Sequence, residues 1–172
     1  IDIVGKIYGI PAVELIGGKV WNKVRLYTHC DRPTVEETLK FAEELKHEGW
    51  TACKCHPVGL PSRYKDPEWA NGSLDWPEIS RSVSIRAVKQ TAKHVEALRE
   101  IIGDDIELGI DVNNRLDVPS SIRFAKALEP FNLLFIEDPI CHHENSVSSY
   151  RRLVESTSTP IACGENMYTI WD

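Results

Sequence analysis

Apolar and polar positions follow two periods along this chain, and the switches between them lay out its elements. From Lys23 to His29, Val24, Leu26 and Thr28 alternate with Arg25, Tyr27 and His29, a period of two that predicts a strand. Thr34-Val-Glu-Glu37 has the form of a capping box, and Val35, Leu39, Ala42 and Leu45 hold one apolar helical face until Gly49 ends it. Thr51 to His56 reads as a second short strand. Ile85, Val88, Ala92, Val95, Leu98 and Ile102 mark a long amphipathic helix closed by Gly103, and Ile106 to Val112 is the strand that follows. Asp117 is placed to cap the next helix, with Pro119 in its first turn and Ile122, Ala125 and Leu128 inward. Leu133 to Glu137 is another strand, and a helix carrying Val147, Tyr150, Leu153 and Val154 leads to the last, Pro160 to Gly164.

Strands alternating with helices predict a parallel sheet with helices outside it, as a barrel or an open doubly wound sheet. Two stretches stand apart from the alternation. Residues 1–22 read as a helix end, a turn at Gly9 to Pro11, a short helical turn and a break at Gly17-Gly18. Residues 57–78, rich in proline, glycine and polar side chains and holding Trp69 and Trp76, make a long loop, and loops of this length usually serve as lids or are disordered.

Composition narrows the function. With 42% hydrophobic and 27% charged residues, 172 residues make an ordinary globular domain with a real core. A net charge of −6 without any block of like charge argues against a nucleic-acid or membrane footprint and favours a small-molecule partner. The five cysteines, Cys30, Cys53, Cys55, Cys141 and Cys163, form an odd set without paired CxxC spacing, which points to reduced thiols in a cytoplasmic protein. No apolar run approaches the roughly 20 residues needed to span a bilayer, and no signal-peptide pattern opens the chain. The chain begins at Ile1 and stops at Asp172 just past a strand-like run, so it reads as a piece of something longer.

Three acids stand where an apolar run meets a loop: Asp111, Glu137 and Glu165, spaced 26 and 28 residues apart, about one strand-helix unit each. Neighbouring parallel strands would bring them to one end of a sheet. Convergent carboxylates repel unless a cation intervenes, and hard oxygen ligands in this number suit Mg²⁺. Side-chain parity supports the convergence. Asp111 and Asn113 oppose Ile106, Leu108, Ile110 and Val112; Glu137 goes with Leu133 and Phe135; Glu165 goes with Ile161 and Cys163. On the second strand Lys54 and His56 share a face with Ala52 and oppose Cys53 and Cys55. A cation and an imidazole beside the acids suit acid-base work, while Cys55 and His56 diverge too far for a zinc site.

These residues match a family. Asp111-Val-Asn113, Phe135-Ile-Glu137-Asp-Pro139 and Pro160-Ile-Ala-Cys-Gly-Glu165 resemble the metal-binding strands of the enolase superfamily, in its mandelate racemase/muconate lactonizing enzyme branch. Asp2-Ile-Val-Gly-Lys6, Gly9-Ile-Pro11 and Leu15-Ile-Gly-Gly18 resemble the lead-in to the barrel in those proteins. The resemblance implies a (β/α) TIM-type barrel, incomplete here at about five βα units. Residues 1–22 would lead from a capping domain, and residues 23–172 would form the N-terminal part of a (β/α)₇β barrel.

It further implies one Mg²⁺ on Asp111, Glu137 and Glu165, stabilising the enediolate formed when a base removes the proton alpha to a carboxylate. Asn113 falls where the family contacts substrate. Lys54 and His56 fall on its Lys-x-Lys motif, with His56 in place of the usual basic lysine, so both are candidate acid/base groups. Asp111-Val-Asn-Asn-Arg115, Leu128-Glu-Pro-Phe131 and the long loop are most similar to acid-sugar dehydratases of the mannonate and galactonate type, which eliminate water from a sugar acid. Tyr64 and Arg63 fall where some relatives place a catalytic tyrosine. The alternatives are a racemase or cycloisomerase of the same superfamily, or a non-catalytic barrel fragment whose open sheet edges predict self-association; the full-length protein is expected to be a homo-oligomer.

Blander readings cover other residues. His29 reads as a hydrogen-bonded barrel residue, His142-His143-Glu144 as solvated loop, and Cys163 as a small buried thiol.

Overall fold

A computed structural model describes residues 1–56 and 81–168. The long loop of residues 57–78, with Arg63, Tyr64, Trp69 and Trp76, lies outside the described residues. The lead-in forms α1 (Asp2–Tyr8) and α2 (Ala12–Leu15). Then come β1 (Thr28–His29), α3 (Val35–Glu48), β2 (Ala52–Cys55), α4 (Ile85–Ile102), β3 (Glu107–Asp111), α5 (Val118–Leu128), a 3-10 turn (Glu129–Phe131), β4 (Phe135–Glu137), α6 (Val147–Val154) and β5 (Ile161–Ala162).

All strand pairs are parallel and the sheet order is β1-β2-β3-β4-β5. A doubly wound sheet reverses its strand order at a switch point, and this one does not, so the open alternative falls to a barrel-type winding. Consecutive helices α3 to α6 pack against one another in sequence along the sheet. The two layers enclose one core in which Leu98, Ile102, Leu108, Ile110, Leu128 and Ile136 are fully buried. Each such side chain contributes about 1.5–3 kcal/mol of transfer free energy.

The helix ends obey their local chemistry. Thr34 Oγ1 accepts from the Glu37 amide while Glu37 reaches back to the Thr34 amide, a complete capping box, and Gly49 closes α3 at φ 78°. Ser84 caps α4, and Asp117 caps α5 by accepting from the Ser120 amide at 2.7 Å. The strands are shorter than their sequence patterns. Only Thr28 and His29 of the 23–29 run pair with β2, and the Arg25 side chain reaches across to donate to the Thr51 carbonyl at 2.7 Å.

Register decides what meets what. Thr28 sits opposite Cys53, Lys54 opposite Gly109, Gly109 opposite Phe135, and Asp111 opposite Glu137. Gly109 is small for a reason: a Cβ there would meet the Phe135 ring at 2.7 Å. That ring meets Tyr27 edge-on, and the Tyr27 ring in turn faces Lys54 Nζ at 5.5 Å.

Candidate active site

The carboxyl ends of β2, β3 and β4 bring three of the expected side chains together. Lys54 Nζ donates to Asp111 Oδ2 at 2.9 Å and to Glu137 Oε2 at 2.7 Å. Alternation along β2 sends Lys54 to this face, while Cys53 and Cys55 join the core under the helices. Burial by itself would pull the Lys54 pKa down; hydrogen bonds to Glu137 and Asp111 and their charges overturn that and hold it above the ordinary lysine value. Lys54 is therefore an ammonium at neutral pH.

His56 lies just past β2 and is buried. Its backbone N–H donates to Asp31 Oδ1 and its Nδ1 meets Asp31 Oδ2, both at 2.8 Å. A carboxylate accepts only, so Nδ1 carries a proton, and Nε2 lies 3.8 Å from Asp111 Oδ2. Asp31 is absent from the sequence expectations. Its one visible trait was a polar position two residues past a strand-end histidine, which is too common to single out.

Asn113 lies beyond the strand, at φ 52°, so strand parity does not place it. Its backbone N–H and its Nδ2 both donate to Asp111 Oδ1, at 3.0 and 2.9 Å. It thus fixes one oxygen of Asp111 while Lys54 holds the other.

Glu165 is reached differently. The expected parity put it on one face with Ile161 and Cys163, but Ile161 packs on the core and exposed Cys163 lines a cleft with Tyr150 and Val154 of α6. Residue Ala162 shares the rung with Glu137, and Gly164, at φ 133°, breaks the alternation before Glu165. The buried Asp138 carboxylate shapes this turn, accepting from the amides of Gly164 at 3.1 Å and Glu165 at 3.2 Å. The Glu165 carboxylate accepts from Asn114 Nδ2 at 3.3 Å, and the Asn114 amide donates to the Asp138 carbonyl.

The acids therefore fall into a pair and a single. Among the described residues, the His, Cys, Asp and Glu ligand atoms that come within 4.8 Å of one another in a group of three are those of His29, Asp31 and His56. In donor type the carboxylates of Asp111, Glu137 and Glu165 suit an oxygen-seeking ion such as Mg²⁺; the Lys54 ammonium bridges the first two, and Asn114, whose Nδ2 donates to Glu165, leaves a buried Oδ1 without a hydrogen-bond partner. His142 and His143 are exposed, while the Glu144 carboxylate accepts from the Val118 amide at the start of α5. No helix among the described residues is long and apolar enough to cross a membrane.

A family model described as enolase C-terminal domain-like matches residues 37–172. The chain is 34% identical, over 179 residues, to a D-mannonate dehydratase of Caulobacter sp. (strain K31), covering 99% of this chain and 43% of that protein. It is 34% identical over 176 residues to a D-xylonate dehydratase of Haloferax volcanii, covering 97% of this chain and 38% of the relative. A crystal structure of a mandelate racemase/muconate lactonizing enzyme-like protein from Rubrobacter xylanophilus DSM 9941 superposes with a TM-score of 0.77 at 33% identity, covering 99% of this chain and 45% of that one. The chain thus spans about two fifths of the length of these curated relatives.

Proposed function

The chain belongs to the enolase C-terminal domain-like family, and from that membership we propose that it carries part of the active site of a Mg²⁺-dependent acid-sugar dehydratase. The observation that carries the reading is the juxtaposition of an ammonium bridging two strand-end carboxylates with a carboxylate-oriented imidazole on the next residue but one. The names of the similar dehydratases support the substrate class, a sugar acid. In the same reading, residues 1–22 lead from a capping domain and residues 23–172 begin the barrel. The exposed Ile3, Ile7 and Trp21 support this, since that apolar surface suits burial by a further domain.

Asp111, Glu137 and Glu165 would hold the metal, which when bound supplies positive charge to a substrate carboxylate as negative charge develops there. The residues of the chain do the remainder. Asn113 orients one oxygen of Asp111. Lys54 offsets the charge of Asp111 and Glu137, and because it stays protonated at neutral pH it serves as a cation and donor rather than a base. His56 is the base: Asp31 holds its Nδ1 proton, so Nε2 is the nitrogen able to take a proton from the carbon alpha to the substrate carboxylate. The proton it gains balances the one that the departing β-hydroxyl needs in order to leave as water.

The test is a panel of aldonic and aldaric acids with the full-length protein, reading 2-keto acid with Mg²⁺ and then with EDTA. Product is expected with one or a few acids, lost in EDTA and reduced at least about 100-fold in Glu137→Gln. Turnover that survives both treatments overturns the metal-dependent mechanism.

A further inference from the structure

His29, Asp31 and His56 do more than the proposed base requires. Orienting His56 accounts for Asp31, which clamps its amide and its Nδ1. It does not account for His29. That residue, at the end of β1, brings Nδ1 to 3.6 Å from the same Asp31 Oδ2, beyond hydrogen-bond range, and lays its ring near-parallel to His56, with centroids 5.9 Å apart and planes at 20°. Two imidazoles thus converge on one carboxylate oxygen. Ligands of a tetrahedral ion with bonds near 2.0–2.2 Å stand about 3.4 Å apart. The separations here, 2.8 and 3.6 Å to the shared oxygen, bracket that value.

We propose that His29, Asp31 and His56 form a second cation site, separate from the acid set, for a transition-metal dication of the Zn²⁺, Co²⁺ or Ni²⁺ class. Two nitrogens and one oxygen select against Mg²⁺, which demands oxygen ligands and octahedral geometry, and suit ions that favour imidazole. The side chain of His29 is 52% exposed against 12% for Asp31 and 7% for His56, so the site is anchored in the fold and open on one side to the entering ion and its waters.

Occupancy has a consequence that rests on the proposed role of His56. An ion on Nδ1 takes the position of the proton now shared with Asp31, and neutral imidazole must then carry its proton on Nε2, beside Asp111. The nitrogen assigned as base is blocked, and the site is inhibitory.

Co²⁺ serves as the probe, titrated into the full-length protein at saturating Mg²⁺ and read by its visible d–d absorption. The expected result is saturation at one Co²⁺ per chain, with affinity falling at least about tenfold in His29→Ala and in Asp31→Asn and holding in Glu165→Gln. His29→Ala should also keep its Mg²⁺-supported turnover while losing inhibition by Co²⁺. Absent bands, bands unchanged in His29→Ala, or bands lost in Glu165→Gln alone would overturn the site. Binding is read without turnover, so a protein inactive on every sugar acid but showing the His29-dependent bands would refute the dehydratase reading and leave the cation site standing.

Discussion

Asp111 and Glu137 sit opposite each other on hydrogen-bonded rungs of β3 and β4, whereas Glu165 lies beyond β5, past a glycine at φ 133°. The first two are aimed by the sheet itself. Strand register sets their separation, and Lys54, two rungs back on the same face, closes the gap with one ammonium. Glu165 is aimed by side chains: Asp138 holds the turn and Asn114 receives the carboxylate. Acids placed by backbone register resist local change, and an acid placed by a buried aspartate depends on that one residue.

The largest expected effect breaks the sheet-held half. Lys54→Met leaves Asp111 and Glu137 facing each other with no cation between them, and should cost about 3–5 kcal/mol in urea unfolding. Added Mg²⁺ should return part of that loss. The sign with pH follows from the raised Lys54 pKa. Its contribution is complete below the unfolded lysine value of about 10.4 and is lost as pH rises through the higher folded value. The stability gap between wild type and Lys54→Met should therefore be level at neutral pH and shrink only in strong alkali. A gap that already closes near pH 8 would show that the ion pairs do not hold Lys54 charged.

Asp138→Ala probes the other half. Loss of the acceptor for the Gly164 and Glu165 amides should cost about 1–3 kcal/mol, with Asp138→Asn milder because it keeps one acceptor oxygen and tolerates the positive φ. Mg²⁺ affinity, measured calorimetrically, should fall at least about tenfold in Asp138→Ala. Unchanged affinity would mean that Glu165 is held by something other than this turn.

The smallest effect serves as the control. Thr34→Ala removes the exposed capping box of α3, whose hydrogen bonds stay within that helix and touch neither acid group, and should lower stability by about 1 kcal/mol. Mg²⁺ affinity should not move. If it does, the helix layer is coupled to the strand ends and the contrast between the two halves loses its meaning.

Period and punctuation in the sequence determined the elements: Thr34 and Gly49 bound α3, Asp117 starts α5, and Ile106, Leu108, Ile110 and Val112 turn to the helices because a strand alternates. The same alternation sent Lys54 toward Asp111 and Glu137, since all three lie within or directly at the end of paired strands. It does not reach Asn113, at φ 52°, or Glu165, just past Gly164 at φ 133°, where the backbone leaves extended geometry, although Asn113 still meets Asp111. Only the tertiary structure joined Asp31 to His56 and His29, and Asp138 to the Glu165 turn. Those partners sit on different strands or across a turn, and their pairing depends on distances between chain segments that no local pattern encodes.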